Sequence, residues 1–481
     1  MKTRFLSLAL LATVALSARA AEIDGLPEPG EPRRVTLAVP AEKTLPNGLR
    51  VIVVERPGLP VLSAQLIIKS GVEADPPTLS GLTRFTTELL KRGTKNRTAP
   101  QIAQDIEALG AKIDTEANWD ATTLSLTTLS ANTEPALTLV AELVRDPAFA
   151  KDEIERARRE TLDELRVSLE EPGTVGRLAA IRATLPFDAH PAGGTPASVA
   201  RSTRKDIVAQ HARLFRPDQS ILVLAGNITA EAAFALAEKL FSAWTPAPID
   251  ARQTPRTLPA SVPRVIIIDM PQAGQAAVFL AAPSITRHAD EWFAGKVANT
   301  LLGGGYTSRL NQEIRLKRGL SYGASSLLST RRNSGLFLAS AQTKNESALE
   351  VVKVMQAEFA RLATEPAPLD FIGTRKSVLT GALARDLETN AATVKRLGEL
   401  ATYDLPLDGL NRFFDDVHRI QPTDLQTFAT KHLAANAFTI VIAGRAKIVE
   451  PQLRPAFPTL EVIPLSKLDL DALSLRRPAK R

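Results

Sequence analysis

Strand-like and helix-like patterns of apolar residues alternate along the chain. β-branched content or alternation of apolar and polar residues predicts strands at residues 49–55, 62–69 and 122–129, the first directly after the turn sequence Pro46-Asn47-Gly48. Apolar residues at helical spacing predict helices at residues 79–90, 102–109, 134–144 and 151–169. Strands interspersed with helices on this scale predict an α+β architecture.

Two parts of this pattern occur twice. Residues 206–226 and residues 424–444 each contain an amphipathic helical stretch, a polar break, an apolar strand and a glycine. Residues 50–55 (RVIVVE) likewise resemble residues 264–269 (RVIIID). The two pairs of segments are separated by nearly the same interval along the chain, which predicts a duplicated domain of about 200 residues. Chance similarity between two helix–strand units is the alternative.

The duplication predicts two homologous α/β domains, each a mixed or antiparallel sheet packed with helices. We place the first domain at residues 41–244, the second at residues 264–450 and a C-terminal tail at residues 451–481. Five prolines between residues 245 and 263 predict a stiff linker between the domains. The length of 481 residues also favours at least two domains.

The N-terminal segment, residues 1–20, predicts a secretory signal peptide. Lys2 and Arg4 precede a short apolar stretch at residues 5–17, and Ala18-Arg19-Ala20 supplies small residues at the cleavage position. That stretch is too short to cross a bilayer, and no later segment is long enough for a membrane helix. The chain contains no cysteine, which excludes disulfides and thiolate metal sites. An exported chain of this kind is expected in a bacterial periplasm.

Charge and motif content argue against several classes of function. Removal of the signal peptide takes away Lys2, Arg4 and Arg19, so the formal net charge falls from +7 to +4. Because no basic stripe is interleaved with aromatic residues, nucleic-acid binding is not predicted. The three glycines at residues 303–305 lack the Gly-Lys-Ser/Thr spacing of a phosphate-binding loop and predict a flexible or close-packed loop. A Gly-x-Ser-x-Gly nucleophile elbow is also missing.

The histidine spacing does not predict a self-contained metal site. The chain has five histidines, and even the closest pair in sequence, His418 and His432, is separated by fourteen positions. His-x-x-x-His, His-Glu-x-x-His and Cys-x-x-Cys are all missing from the sequence. We therefore expect this chain to hold no zinc of its own.

Residues 81–94 resemble a metal-binding helix. They read GLTRFTTELLKRGT and are similar to the segment Gly-Leu-x-His-Phe-x-Glu-His, followed by Lys-Gly-Thr, of the pitrilysin/insulinase family of zinc peptidases. In that segment two histidines four residues apart bind zinc, and the glutamate between them activates water. Here Arg84 and Glu88 occupy the ligand positions and Thr87 occupies the glutamate position. The resemblance therefore implies a retained scaffold with a degenerate metal site.

The same resemblance extends to a later helix. The family's third zinc ligand is a glutamate that corresponds to Glu164, and its supporting glutamate corresponds to Ala157. We hypothesise that the Arg84 guanidinium lies between the Glu88 and Glu164 carboxylates and supplies the positive charge that zinc would otherwise provide. The alternative is that these are solvated charges on a helical face.

The second half of the chain carries a different feature of the family. Residues 308–322 (SRLNQEIRLKRGLSY) resemble the segment Ser-Arg-Leu-x-x-x-Leu-Arg-x-x-x-Gly-Leu-x-Tyr, whose arginine and tyrosine reach the substrate near the zinc. Arg315 and Tyr322 match these two residues. Donors aimed at a developing oxyanion stabilise the transition state by several kcal/mol. Without the family, Arg315 would be one more charge in a basic run and Tyr322 a half-buried strand residue.

The resemblance as a whole implies a non-catalytic, substrate-binding subunit. In mitochondrial processing peptidase and some bacterial periplasmic pairs, one subunit brings the zinc motif and another brings the arginine–tyrosine segment. This chain would bind peptides, carry no cofactor and support the zinc site of a partner subunit. The alternatives are a purely structural protein, like the core subunits of the respiratory cytochrome complex, and a peptidase with a rearranged metal site.

Overall fold

A computed structural model describes residues 36–185, 193–245 and 262–477. The predicted signal peptide, most of the predicted linker and the last four residues of the predicted tail lie outside the described residues. Within the described part of the chain, no helix combines the length and the apolar composition needed to cross a bilayer.

The first domain is built on a six-stranded sheet whose strands lie in the order β1-β2-β6-β3-β5-β4. These strands are β1 Ala41–Thr44, β2 Arg50–Glu55, β3 Val61–Ile68, β4 Lys112–Ala117, β5 Thr122–Leu129 and β6 Ser220–Gly226. The helices of this part of the chain are α1 Leu82–Leu89, α2 Ala99–Ala108, α3 Thr133–Arg145, α4 Lys151–Ser168, α5 Pro172–Thr184, α6 Pro196–Arg201, α7 Arg204–Leu214 and α8 Ala230–Phe241.

The second domain is built on another six-stranded sheet, in the order β12-β7-β11-β8-β10-β9. Its strands are β7 Val265–Asp269, β8 Ala276–Pro283, β9 Ala324–Thr330, β10 Gly335–Thr343, β11 Thr439–Gly444 and β12 Glu461–Pro464. Its helices are α9 Trp292–Gly303, α10 Ala348–Thr364, α11 Leu369–Asp386, α12 Asn390–Thr402, α13 Gly409–Arg419, α14 Pro422–His432 and α15 Ala446–Leu453. A π-helix, Asn311–Lys317, lies between α9 and β9.

Five strands of each sheet pair in the same way. The pair β2–β6 and its equivalent β7–β11 are parallel, and the remaining pairs among the five strands are antiparallel. The registers agree as well, since Glu55 lies opposite Gly226 and Asp269 lies opposite Gly444. These are residues that the sequence repeat matches to each other. The predicted fold, two domains that each contain a mixed sheet packed with helices, is confirmed.

Two helices are exchanged between the domains. Helix α5 packs on β8 and β11 of the second sheet, whereas α12 packs on β3 and β6 of the first sheet. Each helix brings a glycine to its contact. A Cβ on Gly176 would lie 2.6 Å from the Phe279 ring, and a Cβ on Gly398 would lie 2.5 Å from Ile67. One face of each sheet is therefore covered by a helix from the other half of the chain, so neither domain completes its own core.

The segment after residue 450 also belongs to the second domain. Strand β12 pairs in parallel with β7 and covers an edge that would otherwise be unpaired. Leu468 and Leu475 are buried, and the Asp471 carboxylate accepts hydrogen bonds from the Ser80 and Thr195 hydroxyls at 2.7 and 2.6 Å. The segment after residue 450 thus adds a strand to the second sheet, and Asp471 ties it to Ser80, just before α1.

Equivalent hairpins of the two domains meet beside the candidate site. One Asp120 carboxylate oxygen accepts hydrogen bonds from the Arg332 N–H at 3.0 Å and from the Tyr403 hydroxyl at 2.9 Å. The Arg331 guanidinium carbon lies 3.9 Å from the centre of the Trp119 ring. Trp119 and Asp120 lie between β4 and β5, and the two arginines lie between β9 and β10. The duplication therefore brings these two loops together.

Candidate functional site

Helix α1, which carries the degenerate metal-binding sequence, begins at a fixed point. The Asp75 carboxylate accepts hydrogen bonds from the Gly81 N–H at 2.7 Å and from the Thr83 N–H at 2.8 Å, so it satisfies two donors at the start of the helix. Gly81 has a φ of +82°, and a Cβ there would lie 2.5 Å from the Gly194 nitrogen. These contacts fix the position from which the site residues of α1 project.

The Asp75 carboxyl predicts a pH dependence of stability. Burial raises the pKa of Asp75 from 3.8 to about 6, against the opposing effect of its hydrogen bonds with Thr83 and Gly81. Because the pKa of Asp75 is higher in the folded state than in the unfolded state, protonation of this carboxyl stabilises the fold. This stabilisation is fully present below pH 3.8 and is lost as the pH rises through about 6.

We expect Asp75→Asn, which does not titrate, to remove this pH dependence of stability. The difference in free energy of unfolding between wild type and variant should fall by about 2 to 3 kcal/mol from pH 4 to pH 7. Denaturant titrations at the two pH values measure it, and a difference that does not change with pH would contradict the prediction.

The residues predicted for the degenerate metal site line one cavity. Arg84, Thr87 and Glu88 of α1 and Glu164 of α4 surround a space of about 700 Å³. Helix α5 adds Arg177, Leu178 and Ile181 to the lining. The hairpin between β4 and β5 adds Trp119, and the second domain adds Arg331. The structure therefore brings together the two helices that the resemblance links, and it adds a helix and a hairpin to them.

Glu88 forms an ion pair with Arg92, which lies one helical turn further along the chain. Arg92 lies 3.4 Å from the Glu88 carboxylate and 2.5 Å from that of Glu160. Burial raises the pKa of Glu88, the charge of Arg92 opposes this shift, and the nearby Glu164 and Glu160 carboxylates add to it. Glu88 and Glu160 thus share one arginine, Arg92, at the edge of the cavity.

The structure does not show the hypothesised bridge from Arg84 to the two carboxylates. Arg84 is exposed to the cavity and lies against Gly193, where a Cβ would be 3.2 Å from Nη1 of the arginine. Among the described residues, none forms an ion pair with Arg84, and the basic partner of Glu88 is Arg92. Arg92 follows Glu88 by one helical turn, the order that favours an ion pair along a helix, whereas Arg84 precedes it.

Thr87 cannot replace the water-activating glutamate. Its side chain is only 1% exposed, and its hydroxyl donates a hydrogen bond to the Thr83 carbonyl at 2.8 Å. Such a hydroxyl has neither the basicity nor the freedom of a general base.

The donor set does not fit zinc. In the described part of the chain, no group of three or more histidine, cysteine, aspartate or glutamate side chains is arranged to hold a metal ion. At the three positions that correspond to the family's zinc ligands stand Arg84, which cannot bind a cation, Glu88, which is already paired with Arg92, and Glu164, and no imidazole accompanies them.

Arg315 and Tyr322 lie in the segment of the second domain that joins α9 to β9. Arg315 belongs to the π-helix, a rare form often found at functional sites, and its guanidinium carbon lies 4.6 Å from the centre of the Tyr306 ring. Asn311 ties this helix to both flanking segments, because its amide donates to the Gly305 carbonyl at 3.0 Å and to the Ala324 carbonyl at 2.7 Å. Asn311 thereby fixes the spacing between the loop, the π-helix and the start of β9.

The three-glycine loop before this segment is close-packed at its first position. A Cβ on Gly303 would lie 2.1 Å from the Ser326 nitrogen, so only glycine fits there. This agrees with the close-packed alternative among the sequence predictions.

Tyr322 does not line the cavity around Arg84. It is 88% exposed and lines a second space of about 520 Å³ with Gly173 and Gln342. Tyr322 precedes β9 and Arg331 follows it, so seven strand residues, about 23 Å, separate the two ends. The arginine–tyrosine segment and the degenerate metal site therefore occupy different places in one chain.

Comparison with known proteins identifies the family. Residues 50–185 match Insulinase (Peptidase family M16), and residues 201–376 match the Peptidase M16 inactive domain. An uncharacterized zinc protease of Mycobacterium leprae is 30% identical over 366 residues, which cover 74% of this chain and 80% of the relative. The chain belongs to the insulinase family, peptidase family M16. A second relative, an uncharacterized zinc protease of Mycobacterium tuberculosis, is 28% identical over 75% of this chain and 83% of its own length.

Solved structures agree with this M16 assignment. The peptidase M16 inactive domain from Pseudomonas fluorescens superposes with a TM-score of 0.79 at 28% identity, over 84% of this chain and 98% of that one. A protease from Helicobacter pylori also has a TM-score of 0.79 but only 20% identity, and covers 84% of this chain and 99% of that one. The second match supports the fold alone. The resemblance inferred from residues 81–94 and 308–322 is confirmed at the level of the family.

The sequence did not predict several of the residues that line the cavity around Arg84 and Glu164. Arg177, Leu178 and Ile181 reach it because α5 crosses onto the second sheet, and Arg331 reaches it through the contact between hairpins. The available signal was the small-residue pattern of α5, with Gly176 and neighbouring alanines on its buried face. That pattern indicates close packing, but it does not indicate against which sheet.

Proposed function

We propose that this chain is the non-catalytic, substrate-binding subunit of a heterodimeric zinc metallopeptidase that acts on peptides. Arg315 and Tyr322 support the zinc site of the partner subunit, which supplies both the metal and the water-activating glutamate. The chain is exported and works in a bacterial periplasm, in keeping with its N-terminal sequence.

This proposal is based on a difference between the two sequence motifs of the family: the arginine–tyrosine motif is retained in this chain, and the zinc motif is not. The metal helix keeps its position but has lost the side chains for binding zinc and activating water. The arginine–tyrosine segment keeps both residues, and the hydrogen bonds of Asn311 anchor the π-helix that carries Arg315. A chain that retains only the substrate-binding residues can take part in peptide hydrolysis when another chain supplies the zinc and the general base.

The surroundings of Arg315 support contact with a second chain. Tyr306 and Leu316 are 58% and 53% exposed, and Tyr322 is almost fully exposed. Exposed large apolar side chains of one short segment are available for contact with another protein. A partner that covers them would also exclude water from Arg315 and Tyr322, which strengthens their interaction with a developing oxyanion.

Reconstitution tests the proposal. The purified chain should contain no stoichiometric zinc and should cleave no peptide, because its cavity lacks a zinc donor set and a general base. Adding an M16 chain that carries His-x-x-Glu-His should give peptidase activity that a chelator abolishes, well above the activity of the partner alone. The control is the same partner with its motif glutamate changed to glutamine, which should stay inactive in the mixture.

Two results would contradict the proposal. Chelator-sensitive cleavage by the isolated chain, freed of contaminants, would favour a rearranged metal site. A partner that is equally active with and without this chain would favour a purely structural role.

A further inference from the structure

The cavity of the degenerate metal site contains arginines that no described acidic residue neutralises. Arg84 of α1 and Arg177 of α5 are both exposed to this space, and neither side chain forms an ion pair or a hydrogen bond with a residue that the structure describes. Lys91 adds a third cation to the lining. Two guanidinium groups on different helices can together bind a carboxylate, since each offers paired N–H donors.

Apolar groups adjoin these cations. Leu178 and Ile181 of α5 are partly exposed, pack against the apolar cluster under this helix and line the cavity. Trp119 lines the same space, and its ring is held by the stacked Arg331 guanidinium at 3.9 Å. The cavity therefore combines an apolar wall with a cationic rim, and its volume of about 700 Å³ lies in the range of small-ligand sites.

The acidic residues restrict which ligand fits. Glu88 is paired with Arg92, so it leaves the charges of Arg84 and Arg177 uncompensated. Glu116 and Glu164 also line the space, are exposed, and form no ion pair with any described residue. They repel a ligand with several negative charges and can accept hydrogen bonds from amide N–H groups. These properties favour a peptide with one carboxylate over an acidic peptide.

We propose that this cavity binds the free C-terminal carboxylate of a peptide together with an apolar last side chain. Arg84 and Arg177 bind the carboxylate, and Leu178, Ile181 and Trp119 contact the side chain. The inference extends the peptide-binding role proposed above to a second place on the chain. Gly173, beside Tyr322, and Ile181 are eight residues apart on α5, which corresponds to about 12 Å. Both cavities are thus lined in part by residues of the same helix.

Binding of matched peptides to the isolated chain tests the inference. The probes are N-acetyl-Ala-Ala-Ala-Leu with a free carboxylate and the same peptide with a C-terminal amide, titrated by calorimetry at low salt. The free acid should bind at least about tenfold more tightly, because only it carries the anion that the two arginines recognise. In the double variant Arg84→Gln/Arg177→Gln this preference should disappear.

A matched control separates this effect from a general loss of positive charge. Arg159 and Arg166 of α4 are exposed and do not line the cavity, so Arg159→Gln/Arg166→Gln should keep the preference. All four arginines are exposed, and an unchanged unfolding temperature verifies that each variant is folded. Equal affinity for acid and amide would overturn the inference, as would a preference that survives in Arg84→Gln/Arg177→Gln.

The experiment is independent of the proposed function. It uses no partner, no zinc and no cleavage, so a failed reconstitution would leave the carboxylate preference unaffected. Conversely, a chain that activates its partner but binds acid and amide equally would disprove the carboxylate site alone.

Discussion

The triple variant Arg84→His/Thr87→Glu/Glu88→His should bind one zinc ion per chain, whereas the wild type binds none. The substitutions place two histidines four residues apart on α1, where both face the cavity, and Glu164 of α4 already lines the same cavity as a third donor. Loss of the Glu88–Arg92 contact leaves Arg92 with its shorter ion pair to Glu160. Metal analysis after exhaustive dialysis measures the stoichiometry. Zinc at 100 times its dissociation constant should stabilise the variant by about 2.7 kcal/mol.

The control for this prediction removes the third donor. Adding Glu164→Ala to the triple variant should weaken zinc binding and remove most of the zinc-dependent rise in unfolding temperature. The outcome against the prediction is a triple variant that stays folded and binds no zinc. That result would mean that the cavity no longer has the geometry of the family's metal site, and that more than the side chains has changed.

Arg315→Ala and Tyr322→Phe should each lower the kcat/KM of the reconstituted complex about 100- to 1,000-fold. Removing one donor to a developing oxyanion typically costs this much, because the remaining groups cannot reproduce its preorganised position. Tyr322→Phe removes only the hydroxyl, so packing and assembly should be unchanged. Steady-state kinetics and size-exclusion chromatography of the complexes separate an effect on activity from an effect on association.

Arg318 provides a matched control for this pair. It lies three residues after Arg315, is exposed, and pairs with Glu313 at 2.5 Å. Arg318→Ala should therefore leave activity nearly unchanged if the effect at Arg315 is specific. Full activity of the Arg315→Ala/Tyr322→Phe complex would instead show that these residues take no part in hydrolysis, and would favour a structural role.

The sequence predicted the regular elements that have one buried face. Residues 49–55, 62–69 and 122–129 correspond to β2, β3 and β5, and the predicted helices correspond to α1 to α4. Strand β4 escaped prediction because it lies at the sheet edge, where the charged sequence KIDTEA has mostly exposed positions. Apolar periodicity reports burial, so an edge strand with little burial gives little signal.

Charge partners were harder to predict than positions. The family resemblance predicted that residues 84, 87, 88 and 164 lie in one region, and they line one cavity. The bridge from Arg84 to the two acids does not form, since Arg92 reaches Glu88 and Glu160. A long, flexible side chain can form an ion pair with any of several charged groups within a few ångströms, and sequence spacing does not determine which pair forms.

The sequence by itself determined the duplicated two-domain fold, because that follows from local periodicity and an internal repeat, and it determined the family, because residues 81–94 and 308–322 resemble the family's motifs. Only the tertiary structure decided that α5 and α12 are exchanged between the sheets, and that Trp119 meets Arg331. It also decided that Tyr322 lies away from the cavity of Arg84. These features depend on contacts between residues far apart in the chain, where small-residue packing and hydrogen bonding across the domains select one arrangement among several that the same local pattern allows.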